Sequence, residues 1–172
     1  MVRYADDFVC LFQYENEAQR FYQLLIERLR KFGLEIAEDK SRILPFGRYK
    51  GTKESFDFLG FTHYNVTSHW DKYCVLHRTS RKKLKMKREA VKKWLWEHMH
   101  ESIADTIEAL NVKLTGHYRY YGIYGNYIGL QKYYKYVRQE LWKSKRRRDQ
   151  TYWLTSVSYT HLRAHETAAN LV

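Results

Sequence analysis

With 172 residues the chain has room for one sizeable core or two small ones, and its 44% hydrophobic and 29% charged residues, interspersed throughout, exclude a disordered polymer. No apolar run approaches the roughly 18 residues of a membrane span, and no signal-peptide core follows Met1. The net charge of +12 is concentrated: residues 1–80 carry 12 Lys and Arg against 11 Asp and Glu, whereas residues 81–148 carry 18 against 6. Aromatics interleave that basic block, a pattern that points to a polyanionic partner, nucleic acid first, rather than to a solvated face. Cys10 and Cys74 stand alone, without metal-ligand spacing, so an intracellular, reduced protein is expected.

In chain order, residues 2–4 and 8–12 read as two buried strands, with Ala5-Asp6-Asp7 as the turn between them. Ala18, Phe21, Tyr22, Leu25, Leu29 and Phe32 recur at helical spacing, and Gly33 sits where a glycine ends a helix. Leu34-Glu35-Ile36 reads as a short strand. "FDFLGF", Phe56 to Phe61, reads as a strand with an internal Gly60, the mark of a bulge or a close backbone approach. Lys72 to His77 pairs back as a second hairpin. From Ser80 the pattern turns helical: "SRKKLKMKREAVKKWLWEHM" gives a helix with a basic face. Ile103, Ile107, Leu110 and Leu114 stripe a second helix. Leu130, Tyr133, Tyr134, Val137 and Leu141 stripe another, which runs into Lys143 to Arg148. In the Tyr- and Gly-rich "GHYRYYGIYGNYIG" most tyrosines are expected in the core, with one or two facing a nucleic acid. His98 and His100 read as surface groups rather than a zinc site.

The adjacent carboxylates carry the chemistry. Nucleotidyl transfer uses two divalent ions, and hard cations such as Mg²⁺ take carboxylate oxygens held on rigid backbone. Asp6 and Asp7 on a hairpin supply two such groups. An Asp-Asp pair by itself is more often just an exposed turn.

The order of the motifs changes that balance. "YADD", then a helix, "FGLEIAEDKS" and "FDFLGF", resembles the palm of reverse transcriptases, and most nearly those of group II introns, the maturases. "IEALNVKLTGHYRYYG" with "LQKYYKYVRQELWKSKRRR" resembles the maturase-specific, or X, domain that serves as the polymerase thumb. Leu110-Asn111, Leu114-Thr115-Gly116 and Tyr120-Tyr121 carry the second resemblance, with His117 where the family usually has tryptophan. It covers residues 1 to about 153. The fold so implied is α+β: a partial palm (residues 1–79) of hairpin, helix, strand and second hairpin, followed by an all-α thumb-like domain (residues 80–155).

The resemblance also implies roles. Asp6 and Asp7 become the catalytic, metal-binding pair of a two-metal Mg²⁺ site. Tyr4, Ala5 and Lys40 line the substrate pocket, with Lys40 near the nucleotide phosphates. Phe58, Leu59 and Gly60 belong to the hairpin that grips the primer. Arg81, Lys82, Lys83, Lys85 and Lys87, with Arg119, Arg146, Arg147 and Arg148, are the expected phosphate contacts. The partners are intron RNA as template, a DNA primer and deoxynucleoside triphosphates, in a bacterial cytoplasm and without a membrane; oligomeric state is not indicated. The family's palm contributes a further aspartate from upstream of this box, and only five residues precede Asp6. The chain is therefore expected to be an N-terminally truncated fragment, inactive alone.

Residues 156–172, "SVSYTHLRAHETAANLV", resemble no maturase segment but do resemble a translated sequencing adapter. Its reading frame runs from Val157 to Glu166 and resumes at Leu171-Val172. His161, His165 and Glu166 are accordingly given no function. Two alternatives stay open for the rest: a non-catalytic RNA-binding splicing maturase, disfavoured by the intact carboxylate pair, and a retron- or CRISPR-associated reverse transcriptase, disfavoured by the X-like thumb.

Overall fold

Every buried hydrophobic side chain among the described residues comes from three helices in the second half of the chain. The structure is a computed structural model, and it describes residues 1–48 and 54–148, the side chains of Arg147 and Arg148 excepted. The helices are α2 (Arg81–Glu97), α3 (Ile103–Tyr121) and α4 (Tyr127–Arg148). Ser80 opens α2 by accepting the Lys83 N–H, and Ser102 opens α3 by accepting the Asp105 N–H. Val91 and Leu95 of α2 meet Ile107, Leu110, Leu114, Tyr118 and Tyr121 of α3. Leu130, Tyr133, Val137 and Leu141 of α4 complete the core, so both apolar stripes face inward as their spacing requires. The uncertain Tyr-rich stretch resolves into the last turn of α3, a turn through Gly122 to Asn126, and the start of α4.

Ahead of the helices lies a three-stranded antiparallel sheet, β3 (Ser55–Phe58), β4 (Phe61–Thr67) and β5 (Tyr73–Thr79), in the order β3-β4-β5. "FDFLGF" is therefore not one strand but two strands and a turn. Phe58 pairs with Phe61 across a two-residue loop in which Leu59 and Gly60 both have positive φ, 50° and 80°. That is the type I′ geometry that joins twisted strands. The close approach expected at Gly60 is real: a Cβ there would stand 3.1 Å from the Tyr121 hydroxyl.

The amino-terminal elements are β1 (Val2–Tyr4), β2 (Asp7–Val9) and α1 (Glu15–Arg30). Helix α1 closes as a Schellman motif: Gly33, at φ 68°, donates to Arg30 O, and Leu34 donates to Leu29 O. Two expectations fail here. The flanks of the first turn are not buried; Val2 is 60% and Tyr4 66% exposed, because β1 and β2 pair with each other and add no side chain to the core. Residues 34–36 form no strand, since the two described sheets are complete without them and a strand needs a partner.

Sheet and helices meet at Asn126, which is 1% exposed. Its Oδ1 accepts the Thr79 N–H at 2.8 Å, and its Nδ2 donates to Thr79 Oγ1 and to Tyr121 O, each at 2.8 Å. Gly129 makes room for this side chain, since a Cβ there would lie 2.5 Å from Asn126 Oδ1. Replacing Asn126 with alanine orphans the buried Thr79 N–H and hydroxyl, while Tyr121 O keeps its bond from the Ile123 N–H, and costs about 3 kcal/mol. Urea denaturation of the N126A variant measures this; a loss below about 0.5 kcal/mol, the scale of an ordinary surface change, contradicts the junction.

Candidate functional site

Two hairpin turns carry the residues singled out by sequence. In the first, Tyr4 pairs with Asp7 across Ala5 and Asp6. Ala5 holds a positive φ of 50°, a conformation that a residue with a Cβ takes at a cost and that recurs at functional sites. Arg3 braces it, donating from Nε to Ala5 O at 2.9 Å, a role that nothing in the sequence pattern marks. Tyr4, Ala5, Asp6 and Asp7 are all exposed, so both carboxylates present their oxygens to solvent from a fixed turn. They offer the oxygen donors that Mg²⁺ prefers. Among the described residues, however, no group of three or more His, Cys, Asp or Glu comes together to hold a metal ion. Asp6 and Asp7 thus fit part of such a donor set and do not complete one. Lys40 lies elsewhere, exposed, in a turn closed by its own N–H on Ala37 O, and no ion pair joins it to either carboxylate.

The second turn, Leu59-Gly60, is held against the helices. Ser80 N–H donates to Gly60 O at 2.9 Å, and Tyr120 Oη–H donates to Leu59 O at 2.9 Å. Phe61 stacks on Tyr120 and tilts against Tyr121, with centroids at 5.8 and 5.2 Å. Both carbonyls of the turn are therefore claimed by the base of α2 and the end of α3. Tyr120 was legible only as one of many tyrosines.

The same junction begins the basic helix. Arg81, Lys82, Lys83, Lys85 and Lys87 are exposed on the first two turns of α2, and the Lys83 stem packs beside Gly60. Lys85 approaches Glu89 at 3.9 Å, but both are largely exposed and the pair contributes little. Arg119 is exposed on the last turn of α3, at the sheet end of the bundle. Arg146 lies over the Trp142 ring at 4.8 Å near the other end of α4, roughly 30 Å away along that helix. The expected phosphate contacts so divide into a cluster beside the second turn and a distant pole; the Arg147 and Arg148 side chains and residues 156–172 lie outside the described residues.

His117 sits between these regions, 5% exposed and packed on Tyr133 and Tyr121, with ring centroids at 4.1 and 4.6 Å. Neither ring nitrogen finds a hydrogen-bond partner among the described residues. Burial, and then the Lys87 charge, push its pKa down to about 4. It acts as a neutral aromatic wedge between the two tyrosine rings. Burial likewise pushes Tyr133 up to about 12 and raises Tyr118, so neither tyrosine is an acid-base group.

Residues 1–63 match the family model described as reverse transcriptase (RNA-dependent DNA polymerase). No curated protein and no solved structure gives a significant match. The matched segment contains the Asp6-Asp7 turn, the Leu59-Gly60 turn and the start of β4, and supports a reverse transcriptase-like polymerase.

Because folding lowers the His117 pKa, the unfolded chain binds its proton first as pH falls. Stability is therefore lost between about pH 6.5 and pH 4, by up to about 3 kcal/mol. Denaturation midpoints measured across that range should fall, and a His117→Phe variant should flatten the component. A wild-type profile unchanged by the substitution contradicts a neutral, buried imidazole.

Proposed function

We propose that the chain is part of an RNA-directed DNA polymerase of the group II intron type, with a thumb that also binds intron RNA in a maturase role. The observation that carries this reading is the reverse transcriptase match over residues 1–63, with a Tyr-Ala-Asp-Asp turn displayed at the tip of a braced hairpin. Asp6 and Asp7 are two of the carboxylates that hold divalent ions. When bound, Mg²⁺ would polarise the attacking hydroxyl and neutralise charge on the leaving pyrophosphate. Tyr4 and Ala5 form the floor beside the primer end, and Lys40 is assigned to the nucleotide phosphates.

Residues 1–79 form the palm portion and residues 80–155 the thumb. The Leu59-Gly60 turn lies against the primer strand, held in place by Ser80 and Tyr120, so that its position is set by the thumb helices rather than by the sheet alone. The amino-terminal half of α2 continues that surface with five exposed cations. Template, primer and deoxynucleoside triphosphate are the substrates. Among the described residues no helix is long and apolar enough to cross a membrane.

Two measurements test this. In a polypeptide that carries the remaining palm carboxylate, Asp6→Ala should abolish templated primer extension while RNA retention stays within about twofold; equal loss of both would assign the turn to folding. Replacing Lys82 and Lys85 with alanine should weaken RNA binding and make its dependence on log salt shallower by roughly 1.5, about 0.7–0.9 for each phosphate contact. An unchanged slope removes α2 from the interface.

A further inference from the structure

The α2–α4 seam holds a cavity of about 230 Å³, lined by Lys92, Leu95 and Trp96 from α2 and by Glu140, Lys143 and Ser144 from α4. It is smaller than the roughly 300–1,000 Å³ that drug-sized ligands occupy, which suits one flat ring system. The floor is fixed: Leu95 is 1% exposed, and Ser144 Oγ donates to Leu95 O at 3.0 Å, locking the two helices. Trp96 is 49% exposed and lines one side. Lys92 and Lys143 stand at the rim as cations. Within lies Glu140, a carboxylate only 8% exposed, with Lys143 Nζ on its Oε1 at 2.7 Å.

An apolar aromatic wall, two rim cations and a sunken acceptor have complementary uses. A nucleobase stacks on tryptophan, and its phosphates meet lysines. A buried carboxylate selects among bases by hydrogen-bond donors. Guanine presents N1–H and N2–H side by side on its pairing edge, two donors for a carboxylate. Uracil presents one N–H between two carbonyls, which the carboxylate repels. Pairing with Lys143 tempers the charge of Glu140 but leaves it an acceptor. The seam continues one turn along as Arg88 over the Tyr136 ring, at 5.1 Å, where a neighbouring nucleotide would lie.

We infer that this cavity is a subsite for one unpaired guanine of a bound RNA strand, stacked on Trp96 and read by Glu140. The inference rests on the RNA-binding reading of the helical part, and extends it to a base-specific contact remote from both turns. Binding of the full chain to a short single-stranded uridine RNA, and to the same RNA carrying one central guanosine, tests it. The guanosine RNA should bind about tenfold tighter, the scale of one bidentate base contact. Glu140→Gln should reduce that preference to less than threefold while leaving affinity for the uridine RNA unchanged, and Trp96→Ala, on a half-exposed side chain, should abolish it too. Equal wild-type affinity for the two RNAs, or a preference that survives either substitution, overturns the subsite and leaves general RNA binding intact. Failure to bind either RNA overturns the RNA-binding reading itself.

Discussion

The Asn126 amide is the constraint on which the geometry of the described chain turns. Nothing apolar from the sheet enters the helical core as a fully buried residue, so hydrophobic burial alone does not fix the angle between the two parts. Directional bonds do. One amide satisfies the last N–H of β5, the Thr79 hydroxyl and the Tyr121 carbonyl at the end of α3. With β5 leading directly through Ser80 into α2, that single side chain ties the end of the sheet to the starts of α2 and α4 and the end of α3. Ser80 and Tyr120 then seize the carbonyls of the β3–β4 turn. A buried amide is costly unless every group it touches is paired, so the junction is either fully formed or strongly penalised.

This arrangement joins stability to function along a short path. The residues that seat the second turn are the first residues of the basic helix and the last of α3. A shift of the helical bundle would therefore carry the turn with it, and the exposed cations of α2 would move in register. The first turn is built differently. It relies on its own pairing and on Arg3, and its apolar flanks lie open. Among the described residues its carboxylates gather no third acidic partner.

The helical half was legible because its signal is local and repeated. Leu110, Leu114, Leu130, Val137 and Leu141 stand at spacings that leave one face to bury, and each is buried. Gly33 was legible because a helix end demands a left-handed residue. The sheet was harder. Leu59 gave no warning of a type I′ turn, since leucine rarely holds positive φ, and the tertiary bonds from Ser80 and Tyr120 are what stabilise it. Leu34-Glu35-Ile36 had strand-forming residues but no partner, and pairing is a non-local property that composition cannot reveal. At the site, Asp6 and Asp7 stood out by charge in an apolar run. Arg3, Tyr120 and Asn126 did not, because their importance lies in which carbonyl they reach. Glu140 and Trp96 were hidden in the same way, being ordinary members of two helices until the helices pack.

The proposed primer–template surface joins the β3–β4 turn to the amino-terminal half of α2. Hydrogen–deuterium exchange of the chain, with and without an RNA–DNA hybrid, tests it most directly. Protection should concentrate at Leu59-Gly60 and across Arg81 to Lys87, appearing together as the hybrid is titrated. Protection confined to the far end of α4, or separate titration of turn and helix, would contradict it.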